Sequence, residues 1–331
     1  MGPLARPRPQ TIRSLPEDNT SMAFLHHQPS RFVGLDIAKH TITLVDSRAP
    51  APRVIDNEPR AIRALLKTCD ETCLVLCEPT GGHERTVLAE ACRAGIPCHR
   101  ADTLKLKAFI RSFGTLGKTD AIDAARIADY GRERWRTLPL WTPPTRQAQT
   151  LVDLVRRRHD LVALRVAERN RAKAPGAAPL AASFEAMLTV IGEQIAAIDT
   201  AIDEAIASCP DLVRRSAICT AMPGIGQKTA AALLAHMPEL GQLSRRQAAA
   251  LAGLAPHPND SGLLRGHRRI KGGRPEVRTV LFMPALSAAR GCGEFASFYQ
   301  RLVQNGKNRL AAIAAVMRKI IVVLNARLQT T

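Results

Sequence analysis

Four acidic residues stand where they could share a cation: Asp36, Glu78, Asp120 and Asp123. Asp36 closes the short apolar run RFVGLD, Arg31–Asp36, and Glu78 follows the apolar run Leu74–Cys77, so both read as residues at strand ends. Asp120 and Asp123 lie three apart in a helical stretch and so share one helix face. Strand ends of an α/β sheet commonly deliver side chains to a common rim. Clustered carboxylates repel one another unless a cation sits between them, and hard oxygen donors suit Mg2+. Two such ions can stabilise the attacking and the leaving oxygens of a phosphoryl transfer. Any one of these residues taken alone reads as a cap, a turn residue or a solvated charge. The order carries the signal: Asp on the first strand, Glu at a later strand end, then Asp-x-x-Asp on a helix.

A second group lies in the other half. Ser261 sits in the Gly- and Pro-rich stretch HPNDSG, just ahead of Arg265, His267, Arg268, Arg269, Lys271, Arg274 and Arg278. A serine hydroxyl is a weak nucleophile until a base or metal takes its proton. Neighbouring guanidinium groups could hold a phosphate and stabilise its pentavalent transition state. A loop serine with no such company is ordinarily a turn residue. Ser244 and Ser287 rank below it, since each falls in a helical stretch. Upstream, PGIGQKTA over 223–230 matches the turn of a helix-hairpin-helix. Gly224 and Gly226 there permit a tight turn, and the helix that carries Lys228 offers free N–H groups to a DNA phosphate. The alternative reading is a plain inter-helix turn.

Two decoys fall away. GTLGKT over 114–119 resembles a phosphate-binding loop but has two residues between its glycines instead of four, with Ser112 where the first glycine belongs. ATP use is therefore not expected, and the chemistry must either conserve phosphodiester energy or hydrolyse. Of the eight cysteines, Cys69, Cys73 and Cys77 recur every four residues, but no second ligand pair follows. They read as structural or incidental thiols, not as a zinc site.

The elements that must position these groups alternate in the first half. Strand signals at Arg31–Asp36, Thr41–Val45, Leu74–Cys77 and Ile96–His99 interleave with helical ones at Pro59–Lys67, Glu84–Arg93, Asp102–Ser112 and from Lys118 to Tyr130, with Thr119 as an N-cap. That pattern predicts an α/β sheet domain over 31–140. Residues 1–30, rich in Pro and Arg without periodicity, read as a disordered tail. Residues 141–210 predict a helical connector, with Gln147–Arg171 and about Phe184–Ile206 spaced either as arms of an antiparallel coiled coil or as bundle helices. KAPGAAP over 173–179, with Pro175 and Pro179, interrupts them. Residues 211–331 read as helical, with Lys and Arg outnumbering Asp and Glu by roughly three to one.

The formal net charge of +18 in 331 residues points to an anionic partner, and nucleic acid is the usual one. A membrane surface is the rival, but no apolar span of about 18 residues and no lipidation signal is evident. The N-terminal stretch lacks the apolar segment of a signal peptide, so a cytoplasmic, nucleoid-associated protein is expected.

The segments GLDIAKHTITLVD, LVLCEPTGGHERTVLAEACRAGIP, KLKAFIRSFGTLGKTDAIDAARIADYG, MPGIGQKTAAALLA, AAALAGLAPHPNDSG and RGHRRIKGGRPEVRTVLFMPALSAAR resemble the DEDD insertion-sequence transposases, the insertion-sequence one-ten family that includes the Piv DNA invertase. The likeness covers roughly residues 31–331, with both halves in the family's order. It implies a RuvC-like, RNase H-type front domain with Asp36, Glu78, Asp120 and Asp123 binding Mg2+, a coiled-coil connector, and a helical transposase domain. Ser261 would then be the nucleophile that joins covalently to DNA. It further implies a bridge RNA that pairs with target and donor DNA, and dimers that pair into a tetramer. Gly224, Gly226, Lys228, Arg265, Arg268, Arg269, Lys271 and Arg274 are the expected nucleic-acid contacts. Two other readings stay open from the residues alone: a metal-dependent Holliday-junction-type nuclease that uses water, and a nucleic-acid-binding protein without catalysis.

Overall fold

A computed structural model describes residues 24–329 apart from 115, 116, 118, 262, 263 and 267, with Leu264 and Arg265 described by backbone alone. The proposed tail up to residue 23, Lys118 and His267 therefore lie outside the described residues. The chain divides into two units, Met1–Pro143 and Pro144–Thr331.

The front unit runs β1 (Arg31–Ile37), β2 (Thr41–Asp46), β3 (Ala49–Asp56), α1 (Pro59–Leu66), β4 (Cys73–Cys77), α2 (Arg85–Arg93), β5 (Cys98–Arg100), α3 (Thr103–Arg111) and α4 (Asp120–Arg134). Its five strands form one mixed sheet in the order β3-β2-β1-β4-β5. β1 pairs antiparallel with β2 and parallel with β4, and β4 pairs parallel with β5. Sequence patterning does not anticipate β3, because Pro50 and Pro52 argue against a strand. The sheet admits it at an edge, where a missing N–H breaks no inner ladder.

Both sheet faces are covered, which is why β1 and β4 read as continuous apolar runs. Val33, Leu35, Ile37, Val75 and Cys77 pack with Ile62, Leu65, Val87 and Leu88 of α1 and α2. Phe32, Leu74 and Leu76 point the other way, against Leu106 and Phe109 of α3 and Ile127 and Tyr130 of α4. The closest approach is at Gly34, where a Cβ would lie 2.1 Å from the carbonyl oxygen of Ala124 and 2.4 Å from the Ala128 nitrogen. One strand pair further back, a Cβ on Gly131 would meet Leu76 at 2.5 Å and Phe32 at 3.2 Å. α4 thus lies on the sheet backbone-to-backbone and antiparallel to β1.

Three polar ties hold the strand ends. At the entry to β1, Arg31 donates to the Asp46 carboxylate at 2.7 and 3.0 Å in a buried ion pair and also reaches the Thr68 carbonyl. At the exit, the Asn57 amide donates to the carbonyl oxygens of Ala38 (2.9 Å) and His83 (3.3 Å), while its backbone N–H donates to His40 (2.8 Å). One side chain thereby joins the loop after Asp36 to the loop after Glu78. Glu84, only 1% exposed, then closes the second loop. Its carboxylate accepts from the backbone N–H groups of Thr80 (3.0 Å) and Gly82 (2.9 Å) and pairs with Arg100 at 3.0 Å. Burial pushes this carboxyl up, but the backbone donors and Arg100 outweigh it and hold the group below its ordinary 4.5.

The back unit runs α5 (Arg146–Arg171), α6 (Ala181–Ala207), α7 (Pro210–Thr220), α8 (Gln227–His236), α9 (Arg245–Leu251), β6 (Pro256–His257), β7 (Asp260–Ser261), β8 (Leu264–Arg265), β9 (Arg269–Ile270), α10 (Pro275–Arg290), α11 (Glu294–Gln304) and α12 (Arg309–Gln329). α5 and α6 form a long antiparallel pair. Leu151, Val155 and Ile202 join the main core of this unit, and Leu161 meets Ile191 and Ile195 in a separate small cluster. Pro175 and Pro179 fall in the connection between them, so each helix runs uninterrupted. α6 within 178–207 is long and apolar enough to cross a bilayer by length and composition, although sequence inspection finds no such span. Its apolar residues are mostly alanine and isoleucine dispersed among Glu185, Glu193, Asp199, Asp203 and Glu204, which hides the average from the eye. α12 is held by Asn325, which is 1% exposed, accepts from the Gly241 N–H at 3.0 Å and donates to the Leu243 carbonyl at 2.6 Å.

Two predictions follow from the front unit, and both are read by intrinsic fluorescence, since the two tryptophans, Trp135 and Trp141, lie in it. Gly34→Ala should destabilise the unit by at least about 3 kcal/mol, because the new methyl meets backbone that cannot rotate away; a denaturant midpoint equal to wild type would contradict the packing of α4 on β1. Glu84→Gln should cost about 2 to 4 kcal/mol at neutral pH. Because the folded carboxyl titrates below its unfolded value, the wild-type contribution is complete above 4.5 and disappears as pH falls through the folded value. The variant's deficit should therefore shrink on acidification, and a deficit independent of pH would refute the charge-based account.

Candidate active site

β1 and β4 run parallel with Leu35 opposite Cys77, so the next positions, Asp36 and Glu78, leave neighbouring strands at the same end of the sheet. Asp36 alternates onto the face of Phe32 and Gly34, the face that α4 covers. Two strand residues advance about 6.6 Å, the rise of four to five helical residues. Gly131 lies over Phe32, and Ala124 to Ala128 lie over Gly34. One further step brings the first turn of α4, with Asp120 and Asp123, over Asp36. All four acidic residues thus come from elements that end at one edge and one side of the sheet.

The helix start is well defined. Thr119 caps α4, its hydroxyl accepting from the Ile122 N–H at 3.2 Å, and the Asp123 N–H donates to the Thr119 carbonyl at 3.0 Å. Carboxylates in a first helical turn are favoured by the helix dipole. Asp36, Glu78 and Asp123 are half-buried and Asp120 is exposed. The elements converge, but the side chains do not close into a ligand set: among the described residues no three His, Cys, Asp or Glu groups lie close enough to hold a metal ion. The donor set nonetheless fits a hard divalent cation. It is made of oxygens alone, and three of its four carboxylates are partly withdrawn from water.

Sequence reasoning missed the two residues that set this edge, Asn57 and Glu84. Glu84 had a readable signal, an acid two residues after the Thr80-Gly81-Gly82 turn. Asn57 had none, because its partners Ala38 and His83 offer only backbone carbonyls.

Ser261 lies in the back unit on a two-step hairpin instead of an all-helical surface. β6 pairs with β9 (Pro256 opposite Ile270, His257 opposite Arg269), and further out β7 pairs with β8 (Ser261 opposite Leu264). The base is pinned by glycines. A Cβ on Gly273 would lie 2.2 Å from the Gly253 nitrogen, and both residues have positive φ. Ser261, Arg268, Arg269 and Lys271 are exposed on this hairpin, and the Arg265 side chain is outside the described residues. Arg274 and Arg278 face inward at its root. Arg274 forms a two-pronged pair with Glu239 at 2.6 and 2.7 Å and donates to the His236 carbonyl at 2.7 Å, and Arg278 donates to the Gly272 carbonyl.

In the 223–230 turn, Gly224 has φ +84°, and a Cβ there would lie 2.5 Å from the Pro284 carbonyl oxygen, so close packing on α10 demands glycine. Gly226 is the N-cap of α8 and has open space around it. Lys228 pairs with Asp199, which also takes Arg158 at 2.5 Å. Burial pushes the Asp199 carboxyl up, but Arg158 and Lys228 hold it below the ordinary range. Of the expected nucleic-acid contacts, Arg268, Arg269 and Lys271 stand exposed, whereas Lys228 and Arg274 are already paired within the fold.

Comparison with known proteins finds likeness over both halves. Residues 216–300 match the model described as the transposase IS116/IS110/IS902 family, and residues 33–174 match the DEDD transposase model of IS110 type. The pilin gene-inverting proteins of Moraxella bovis and Moraxella lacunata are each 30% identical over 224 residues, 66% of this chain and 69% of theirs. An uncharacterized 43.6 kDa protein of insertion element IS110 from Streptomyces coelicolor is 29% identical over 149 residues, 44% of this chain and 36% of its own. With regions of the acid-bearing front unit and of the serine-bearing back unit each matched, the chain belongs to the IS110 family of transposases.

Proposed function

We propose that this transposase cuts and rejoins DNA by serine transesterification, in a RuvC-like, RNase H-type front unit acting with the hairpin that carries Ser261. The observation that supports this most is the seating of α4 on Gly34, which brings Asp120 and Asp123 to the strand ends of Asp36 and Glu78. The sheet order β3-β2-β1-β4-β5, with β1 and β4 parallel, agrees with the RNase H-type reading.

In the reaction, the Ser261 oxygen forms a bond to a backbone phosphorus as one P–O bond of the DNA breaks, and the departing DNA hydroxyl takes up a proton. A second DNA hydroxyl then attacks the same phosphorus, forming the P–O bond of the new strand and losing its proton, while the P–O bond to serine breaks and the serine oxygen takes up a proton. The number of phosphodiester bonds is unchanged, so no ATP is required. Asp36, Glu78, Asp120 and Asp123 would hold divalent cations, Mg2+ by the chemistry of the donors, which when bound offset charge on the attacking and leaving oxygens. Arg268, Arg269 and Lys271 hold phosphates next to the serine. Arg265 belongs to the same hairpin and serves the same strand. Gly224 and Gly226 shape the turn that meets the DNA backbone, while Lys228 and Arg274 order α8 and α10 behind it.

The chain acts in the cytoplasm at the nucleoid, on element ends and target DNA. A bridge RNA supplies the choice of sequence by base pairing, and a homodimer pairs into a tetramer. The exposed apolar residues Leu164 and Val166 of α5 and Met187 and Val190 of α6 offer a surface for a second copy.

The reading is tested by incubating the full chain with element-end DNA, a divalent salt and co-purifying RNA, then resolving the products under denaturing conditions. Wild type should give a covalent protein–DNA adduct. Ser261→Ala should give neither adduct nor cut strands, and Asp123→Asn should lower both at least about a hundredfold. Cut DNA with no adduct in wild type, or normal cutting by Ser261→Ala, would leave the water-using nuclease as the better description. Intact DNA under every metal and RNA condition would favour a binding protein without catalysis.

A further inference from the structure

Two thiols at the entry end of the sheet have no part in the recombination reading. Cys69 stands in the connection after α1, and Cys73 opens β4 directly opposite Arg31 of β1. Local hydrogen bonds shape this connection. The Cys69 N–H donates to the Leu66 carbonyl at 3.0 Å, and the Cys73 N–H donates to the Asp70 carbonyl at 3.0 Å. The Thr72 N–H and hydroxyl donate to the Asp70 carboxylate at 3.0 and 2.6 Å and lock the turn between the cysteines. The chain folds back within this span, and the buried Cys73 thiol donates to the sulfur of the half-buried Cys69.

The same corner holds a fixed cation. Arg31 pairs with Asp46 at 2.7 Å and donates to the hydroxyl of Thr68, the residue before Cys69, at 3.2 Å and to its carbonyl. The Cys69 sulfur lies 3.8 Å from the Leu65 carbonyl oxygen, which also accepts from the Thr68 hydroxyl at 2.8 Å. Sulfur, hydroxyl and guanidinium therefore gather at the last turn of α1.

These neighbours set the two thiols apart. The Cys73 donor lowers Cys69 most, burial and Asp46 oppose it, and Arg31 and Thr68 bring the group to about 7. Cys73 moves the other way, raised by its bond to Cys69 and by burial. One sulfur forms a thiolate and reaches solvent, and the other stays protonated behind it. That is the division of labour between an attacking and a resolving thiol. Burial instead pushes the thiols of Cys98 and Cys219 up, to about 12 and about 11. Two thiols alone do not make a zinc site.

We propose that Cys69 and Cys73 are a peroxide-reactive dithiol that closes reversibly to a disulfide. The Cys69 thiolate attacks one oxygen of a hydroperoxide, the O–O bond breaks, and the departing oxygen takes up a proton and leaves as water or an alcohol. Cys69 then carries a sulfenic acid. The Cys73 sulfur attacks the Cys69 sulfur, the S–OH bond breaks, and the hydroxide leaves with the Cys73 proton as water. Two electrons pass from the thiol pair to the peroxide. Two molecules of a small thiol return them by exchange and become a disulfide themselves. The new bond ties the end of α1 to the start of β4, away from Asp36 and Glu78, so it stands or falls apart from the recombination reading.

The test treats the reduced full chain with hydrogen peroxide, alkylates the remaining thiols after denaturation, and maps the tryptic peptide 68–85 by mass spectrometry. In wild type this peptide should lose two hydrogens with Cys77 alone alkylated, at least about tenfold faster than the exposed Cys92 or Cys292 is oxidised. A small thiol should restore both sulfurs. The rate should rise with pH to a plateau, with its midpoint near about 7. Cys73→Ala should stop at a Cys69 sulfenic acid, which a cyclic 1,3-dione traps, and Cys69→Ser should leave Cys73 reduced. Tryptophan-monitored unfolding shows whether each variant is folded, and the wild-type mapping decides the matter where a variant is not. A link that includes Cys77, oxidation no faster than at Cys92 and Cys292, or a wild-type Cys69 that is never joined to Cys73 would overturn the proposal.

Discussion

The contact on which this transposase's front unit depends is the meeting of two backbones at Gly34. A helix ordinarily stands off a sheet by the thickness of two side-chain layers. Here the first strand presents a hydrogen, and α4 comes down until a methyl group would sit 2.1 Å from the Ala124 carbonyl oxygen. That approach fixes the height, direction and longitudinal register of α4 at once, because Gly131 answers it one strand pair away against Phe32 and Leu76. The acids at the start of α4 are delivered by this fit. A shift of one helical turn, about 5.4 Å, would carry them off the strand ends altogether.

Around that contact the chain spends its buried polar groups on loop geometry. The Arg31–Asp46 pair closes the sheet at the end away from the acids, and burial of its carboxylate is offset by the guanidinium and by the Arg48 N–H, so that Asp46 too stays below the ordinary carboxylate range. At the acid-bearing end, Asn57 and Glu84 do the corresponding work through backbone atoms. Neither contributes to a ligand set, yet each restrains a loop that leaves a candidate metal-binding position. The separation is physically sensible: carboxylates of like charge gathered at one end of a sheet need rigid supports of their own.

The back unit solves a different problem with the same means. Its serine stands on a short hairpin in an otherwise helical unit, and the hairpin's root is clamped by the Gly253–Gly273 approach and by Arg274 and Arg278 turned inward. The basic residues there divide by role. Those at the root pair with Glu239 or with carbonyls and build the fold, and those further out along the strands remain exposed to a polyanion.

Much of this was legible in the sequence by itself. The apolar runs at Phe32 and Leu74, the cap at Thr119 and the long periodic helices α5 and α6 are all local signals, set by side-chain alternation and by hydrogen bonds within three or four residues. The acidic and basic residues and their order along the chain were equally plain. What only the tertiary structure decided is long-range. β3 exists despite Pro50 and Pro52 because it found an edge, Ser261 sits on a hairpin because Gly253 and Gly273 meet, and Lys228 turns to Asp199 because α6 passes beside α8. β3 pairs with the strand just before it, but neither Gly253 and Gly273 nor Lys228 and Asp199 lie within a helical turn of one another in sequence, and a backbone-to-backbone contact such as Gly34 on Ala124 leaves no side-chain pattern to read. The sequence specifies which groups are available; chain packing alone determines which of them remain free to meet a ligand.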